Sequence, residues 1–151
     1  MKNVLVTVGT TKFNSLVKYL DHHLPKIKNI DATFQVSKGG LRPHNYKWFE
    51  FDKDITDYYM KADVIVCHAG AGTIFRLLEL KRKILMVPNF DRVDSHQREI
   101  CEYMAAHGHA VFCPKFDDIM IKLDAIDSIQ LKPYIKDEFQ KFDEIFDVIL
   151  R

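Results

Sequence analysis

Short runs of β-branched and other apolar residues alternate with helical patterns along the chain, and this alternation constrains the fold more than any other feature. The strand patterns cover residues 3–8, 32–36, 47–51, 63–67, 84–87 and 110–113, and the helical patterns cover 13–24, 55–61, 73–81, 95–107, 117–123 and 135–150. Strands that are apolar throughout must be covered on both faces, and intervening helices favour parallel pairing. The sequence therefore predicts an α/β fold with about six parallel strands between two helix layers.

Length and composition set the limits of what such a chain can do. Its 151 residues are the size of one domain, so we expect a single domain over 1–151. The composition, 47% hydrophobic and 28% charged, is that of an ordinary globular protein. The formal net charge of +1 lacks the basic excess of a nucleic-acid-binding protein, so no nucleic-acid partner is expected.

Cysteine usage and hydropathy indicate where the chain works. The three cysteines, Cys67, Cys101 and Cys113, form no C-x-x-C pair, and Cys67 and Cys113 lie in apolar runs typical of core positions. This pattern fits the reducing cytoplasm. No apolar stretch approaches the ~20 residues that span a bilayer, so we expect a cytoplasmic chain that needs another protein to hold it at a membrane.

Ligands of open parallel sheets bind beyond the carboxyl ends of the strands, where the strand order reverses. The loops after the first, fourth and fifth strands, residues 9–11, 68–73 and 88–97, are therefore the candidate site. In the first loop, Gly9 permits close approach of a ligand, and Thr10 and Thr11 offer hydroxyl and backbone donors near a helix start. The alternative is a plain strand-to-helix turn with a threonine cap.

The second loop, HAGAGT at 68–73, combines two glycines with an adjacent helix start. Small residues expose backbone N–H groups to an anion, and the helix dipole adds a favourable field. The loop is neither a dinucleotide fingerprint, because Phe75 stands where a third glycine is needed, nor a Walker A loop. His68 either donates to a phosphate or ribose or packs at the strand end. Metal ligation through His68 lacks ligand spacing, so no metal site is expected.

The third loop follows the fifth strand and is rich in polar side chains, namely Asn89, Asp94, His96 and Gln97. Asp94 as N-cap with Gln97 three residues on predicts a capping-box pair. The same residues suit recognition of sugar hydroxyls. The two interpretations are compatible, because a cap holds neighbouring side chains rigid.

The motifs VTVGTTKF at 6–13, HAGAGT at 68–73 and VPNxxxxDSHQxE at 87–99 occur in the order and spacing of one known family. Over residues 2–113 the chain resembles the C-terminal, donor-binding domain of glycosyltransferase family 28. The resemblance extends to the small catalytic subunits of two-subunit UDP-N-acetylglucosamine transferases of lipid-linked oligosaccharide synthesis, and to their bacterial exopolysaccharide and capsule counterparts. It implies a Rossmann-like three-layer fold that forms the C-terminal half of a GT-B glycosyltransferase.

The resemblance also implies a reaction and a set of contacts. The chain would bind a UDP-sugar, with N-acetylglucosamine or another hexose as the sugar, and pass the sugar to a lipid-diphosphate-linked saccharide. A membrane-associated partner subunit would supply the acceptor-binding domain and recruit the chain to the inner membrane face. The implied contacts are Gly9, Thr10 and Thr11 at the diphosphate, His68, Gly70, Ala71, Gly72 and Thr73 at the uridine ribose and phosphate, and Asp94, His96 and Gln97 at the donor sugar.

No cofactor or metal is implied, because helix dipoles and loop N–H groups take the charge of leaving UDP. The catalytic base of the family lies in the other domain, so no catalytic residue is assigned to this chain.

The sequence departs from the family at two positions on the helix after the glycine-rich loop. The family usually has Asp or Glu where this chain has Arg76, which cannot accept hydrogen bonds from ribose hydroxyls. Arg76 then either pairs with a phosphate, or Glu79 one turn on supplies the carboxylate. The glycine that usually ends the helix is replaced by Lys81.

The sequence is compatible with three functions. The first is the donor-binding enzyme subunit, and the second is a non-catalytic enhancer that docks on a related glycosyltransferase, suggested by Arg76. The third is an unrelated nucleotide-dependent enzyme, which the missing dinucleotide fingerprint disfavours. The last helical pattern carries an apolar stripe that either folds back on the sheet or docks on the partner; its members are Phe139, Phe142, Ile145, Phe146 and Ile149.

Overall fold

The computed structural model describes residues 1–50, 54–89 and 95–135, and these contain one six-stranded sheet. The strands are β1 Lys2–Thr7, β2 Ile30–Val36, β3 Lys47–Glu50, β4 Val64–His68, β5 Ile84–Val87 and β6 Val111–Phe112. They lie in the order β3-β2-β1-β4-β5-β6, and every neighbouring pair is parallel. The predicted parallel sheet of about six strands is confirmed.

In the described ranges four α-helices connect strands, and a fifth follows β6; they are α1 Asn14–His23, α2 Thr56–Lys61, α3 Ala71–Glu79, α4 Ser95–Ala106 and, after β6, α5 Phe116–Ala125. Short 3-10 turns follow α1 at Leu24–Lys26 and α5 at Ile126–Ser128. No helix within the described ranges combines the length and apolarity needed to cross a bilayer. Residues 136–150 of the last predicted helix, with its apolar stripe, lie outside the described residues, so both docking alternatives stay predictions.

The sheet separates two apolar layers, which explains why its strands are hydrophobic on both sides. Side chains at alternate positions of a strand point to opposite faces. Val4 and Val6 therefore pack with α1 and α5, whereas Leu5 between them packs with α2, α3 and α4. All three cysteines are buried, as predicted for Cys67 and Cys113.

The chain runs from β1 outward through β2 to β3, then returns to the other side of β1 with β4 and continues through β5 to β6. The strand order reverses between β1 and β4, and the crevice of a doubly wound sheet lies outside their carboxyl ends. The loops after β1 and β4 flank this point directly, and those after β2 and β5 lie one strand further out.

Two boundaries at this edge differ from the sequence prediction. Helix α3 begins at Ala71 rather than near 73, and β4 extends through His68. The last ladder pair, His68 with Val87, continues β4 beside β5, and Gly70 supplies the extended N-cap. Ala71, Gly72 and Thr73 therefore form the first turn of a helix rather than a loop.

Candidate functional site

The N-terminus of α3 faces the switch point without a side-chain cap. Gly70 is the N-cap residue, with φ −75° and ψ 126°, and its carbonyl accepts the first helical hydrogen bond from the Ile74 N–H at 3.0 Å. The N–H groups of Ala71, Gly72 and Thr73 precede that bond, so the helix offers them no carbonyl partner. No acidic residue lies in the first turn. The helix end therefore presents N–H groups and a positive dipole end to an anion.

The loop after β1 turns at Gly9, whose φ of +66° is in the left-handed region that favours glycine. Its backbone is held by the buried amide of Gln35: the Gly9 N–H donates to Oε1 at 2.8 Å, and its carbonyl accepts from Nε2 at 2.9 Å. The Gly9 N–H is therefore occupied within the protein. Exposed Thr10 and half-buried Thr11 follow it as the candidate ligand donors of this loop.

Gln35 is a positioning residue that sequence reasoning missed. Besides its two bonds to Gly9, its Oε1 accepts from Thr7 Oγ1 at 2.6 Å and from the Val8 N–H at 3.2 Å, and its Nε2 donates to the Val36 carbonyl at 2.9 Å. The side chain is fully buried. The available signal was a single amide inside the apolar strand pattern at 32–36, because buried polar groups are retained where they are hydrogen-bonded.

His68 lies between the two glycine loops. It is 7% exposed, and its Nδ1 lies 3.4 Å from the Thr7 carbonyl oxygen. A Cβ atom on Gly9 would lie 2.7 Å from the ring Cε1, and one on Gly70 would lie 2.2 Å from Nε2. Burial lowers the pKa of His68, partly opposed by the bond to Thr7, so the neutral ring donates from Nδ1. This geometry corresponds to the packing alternative; a nucleotide contact of His68 stays a prediction.

The loop after β5 is joined both to α4 and to the loop after β1. The Asn89 N–H donates to Gln97 Oε1 at 2.9 Å, and Asn89 Nδ2 donates to the Lys12 carbonyl at 3.0 Å. Asn89 is buried, which makes it a structural link between two loops of the candidate site.

Of the remaining polar residues of this loop, the structure describes His96 but not Asp94. Asp94 lies outside the described residues, so its capping-box pairing with Gln97 and its sugar contact stay predictions. His96 is exposed, with Nδ1 3.9 Å from Glu99 Oε2.

Arg76 lies on the exposed face of α3, with Nη1 3.9 Å from Glu79 Oε2. Both side chains are about half exposed, so the pair contributes little to stability. The two side chains proposed as alternative nucleotide contacts, the Arg76 guanidinium and the Glu79 carboxylate, thus lie next to each other. At the end of the same helix, Lys81 adopts φ +56°, the conformation for which the expected glycine is suited.

Two side chains of α1 that the sequence pattern did not single out hold the long loop after β2. The buried Asp21 carboxylate accepts the N–H groups of His44 at 2.8 Å and Asn45 at 2.9 Å. Asn14 Oδ1 accepts the Leu41 N–H at 2.9 Å. The turn at 37–41 is thereby fixed next to the loop after β1.

Neither a metal cluster nor a reactive thiol stands out in the described part of the chain. No group of three or more His, Cys, Asp or Glu side chains there is arranged to hold a metal ion. Burial raises the pKa of Cys67 and of Cys113 to about 12, so both remain protonated thiols at neutral pH. Catalysis without a metal stays a prediction, and no catalytic residue is assigned.

The three loops of the candidate site lie within the part of the chain that matches known proteins. The family model described as the glycosyltransferase family 28 C-terminal domain matches residues 3–115, which include the loops after β1, β4 and β5. Human UDP-N-acetylglucosamine transferase subunit ALG13 is 30% identical over 125 residues, covering 75% of this chain and 11% of the human protein.

A bacterial relative matches the chain to a similar extent. The UDP-N-acetylglucosamine–N-acetylmuramyl-(pentapeptide) pyrophosphoryl-undecaprenol N-acetylglucosamine transferase of Tolumonas auensis is 29% identical over 122 residues, covering 74% of this chain and 34% of the enzyme. The chain thus spans about a tenth of the human relative and about a third of the bacterial one.

Solved structures share the fold. The solution structure of ALG13 matches with a TM-score of 0.61 at 19% identity, covering 93% of this chain and 94% of that one. Acinetobacter baumannii MurG matches with a TM-score of 0.58 at 20% identity, covering 85% of this chain and 43% of MurG. The fold is thus Rossmann-like and corresponds to the C-terminal half of GT-B glycosyltransferases. With a family model that matches three quarters of its length, the chain belongs to the glycosyltransferase family 28 C-terminal domain family.

Proposed function

We propose that this chain is the donor-binding subunit of a two-component glycosyltransferase that moves a sugar from a UDP-sugar to a lipid-diphosphate-linked saccharide. The donor sugar is N-acetylglucosamine or another hexose, and the product belongs to surface polysaccharide or glycolipid synthesis. The names of the human and Tolumonas auensis relatives, both UDP-N-acetylglucosamine transferases or subunits of one, support this donor class.

One observation carries the proposal: the family match coincides with an uncapped helix start at the switch point of the sheet. The N–H groups of Ala71, Gly72 and Thr73 are available to an anion there, and Thr10 and Thr11 lie on the facing loop. Diphosphate binding at this edge would stabilise UDP as a leaving group without a metal ion.

The proposal includes a partner subunit. GT-B transferases close a cleft between two domains, and the described residues form one sheet of the donor-binding type. A membrane-associated second chain would supply the acceptor-binding domain and hold this chain at the cytoplasmic face of the membrane. The word "subunit" in the name of the ALG13 relatives supports this arrangement.

Calorimetric titration with UDP and UDP-hexoses, in the presence of the partner chain, tests the proposal. UDP and at least one UDP-hexose are expected to bind, while a nicotinamide dinucleotide is expected not to bind. Absence of binding at millimolar UDP would contradict a donor-binding role, and binding of the dinucleotide alone would favour a different class of enzyme.

The enhancer alternative is suggested by Arg76, whose ion pair with Glu79 occupies the face where the family usually carries an acid. The variant R76E separates the two functions in an assay of sugar transfer with the partner present. If the wild-type complex transfers sugar and R76E abolishes transfer, Arg76 is functional and the enhancer role is weakened. If the complex is inactive with wild type yet stimulates a related transferase, the enhancer role is correct.

A further inference from the structure

Lys12 spans the carboxyl edge of the sheet across the switch point. Its carbonyl oxygen accepts a hydrogen bond from Asn89 Nδ2 beyond the end of β5. Its side chain reaches the turn after β2, where a Cβ atom on Gly39 would lie 3.8 Å from both Lys12 Cε and Nζ. Strands β1 and β4 lie between β2 and β5, so the residue extends over the ends of the two strands that flank the crevice.

Hydrogen bonds hold both parts of the fold that Lys12 adjoins. Asn89 is buried, and its own N–H is held by Gln97. Gly39 lies at φ +73° in a turn closed by the Gly40 N–H on the Ser37 carbonyl at 2.9 Å. The position of the Lys12 backbone is therefore set by the fold, while its exposed ammonium retains access to solvent and ligand.

The described surroundings of Lys12 contain few negative charges. The loop segments 9–13, 37–41 and 68–73 contain no Asp or Glu. In the described part of the chain, no carboxylate forms an ion pair with Lys12. Among the described residues, therefore, no carboxylate balances the charge of this ammonium, and a bound anion would do so.

We propose that Lys12 is a phosphate-binding residue that pairs with the diphosphate of the nucleotide and thereby favours UDP over UMP and uridine. This inference rests on the proposed function, because it assumes that the nucleotide occupies the crevice. The α3 N-terminus supplies N–H groups to the diphosphate, and Lys12 supplies a full positive charge from the opposite side of the switch point. A lysine ammonium is well suited to such a point contact.

Affinity measurements for uridine, UMP and UDP, with the partner chain present, test the assignment on four proteins: wild type, K12M, K12R and K18M. K12M removes the charge at nearly constant length, and K12R restores it. K18M removes an exposed lysine of α1 away from the crevice loops and is the matched control. Thermal unfolding of each variant shows whether it folds as the wild type does.

K12M is expected to bind UDP roughly tenfold more weakly, with its uridine affinity unchanged, because only the charge-assisted contact is lost. K12R is expected to recover most of the UDP affinity, and K18M is expected to match wild type. Wild-type UDP affinity in K12M, or an equal loss for uridine and UDP, overturns the assignment while the proposed function stands. A wild-type chain that binds neither uridine nor UDP contradicts the proposed function and this assignment together.

Discussion

The imidazole of His68 occupies the space that a side chain at position 70 would need: a Cβ on Gly70 would lie 2.2 Å from His68 Nε2. The same ring lies 2.7 Å from the corresponding point on Gly9. A buried histidine at the end of β4 thus sets the spacing between the loop after β1 and the start of α3. The two glycine loops are one packed unit, and this unit carries the proposed nucleotide site.

The substitution G70A is expected to destabilise the protein by about 1–3 kcal/mol, because its Cβ displaces a buried ring. G72A is the matched control, since a Cβ there meets nothing within 4 Å. Replacing glycine by alanine within an open helical turn is neutral or stabilising by up to about 1 kcal/mol. Chemical denaturation measures both variants. Equal stability of G70A and G72A would show that His68 does not restrict position 70.

Gln35 supplies a second stability test. The variant Q35L removes the side-chain carbonyl and NH₂ groups that hold the Gly9 loop. The Gly9 N–H and carbonyl groups then lose their hydrogen-bond partners. We expect a loss of about 2–4 kcal/mol in the free energy of unfolding. The exposed Gln130 provides the control, and Q130L is expected to change stability by less than about 0.5 kcal/mol. A Q35L variant as stable as Q130L would contradict the role assigned to this amide.

Lys81, at the end of α3, adopts the left-handed backbone conformation. This conformation is less favourable for lysine than for glycine. The Arg82 N–H reaches the Leu77 carbonyl and the Lys81 N–H reaches the Leu78 carbonyl, both at 3.0 Å, which is the Schellman pattern. K81G is expected to stabilise the protein by about 0.5–1 kcal/mol. K81A removes the charge but keeps the Cβ, so it is expected to give no such gain. A K81A variant more stable than K81G would assign the effect to charge instead of backbone conformation.

The buried histidine predicts a pH dependence. Burial lowers the pKa of His68 below its ordinary value of 6.5, so the unfolded chain binds this proton more tightly than the folded one. The contribution of the neutral His68 ring to the free energy of unfolding is therefore fully present above pH 6.5. It is lost as the pH drops from there towards the pKa of the folded state.

The variant H68N tests this dependence, because the asparagine amide keeps a donor near Nδ1 for the Thr7 carbonyl and does not titrate. Between pH 7.5 and 5.5 we expect a smaller loss of unfolding free energy in H68N than in wild type. H44N, at an exposed histidine, provides the control. An equal loss in H68N and wild type would show that His68 does not contribute to acid sensitivity.

The apolar strand runs and the spacing of Gly9, Gly70 and Gly72 were sufficient to predict the sheet and the edge that carries the candidate site. Burial on both faces imposes a local pattern, which a single sequence displays. Gln35 and Asp21 could not be predicted in the same way, because the loop residues that they hold lie 23 to 28 residues away in the chain, at positions that only the fold brings together. The start of α3 was placed two residues late because glycine disfavours helix interiors but is tolerated in the first turn.

The most direct test of the account is a titration of the isotope-labelled chain with UDP, in the presence of the unlabelled partner chain, followed by backbone amide NMR. Donor binding at the switch point predicts that the largest shifts occur at Thr10, Thr11 and Ala71–Thr73, with smaller shifts at Asn89 and Gln97. Residues of α5, on the far side of the sheet from α3, are expected to stay unchanged. Saturating shifts centred on another surface, or no shifts at millimolar UDP, would contradict the assignment of this edge as the donor site.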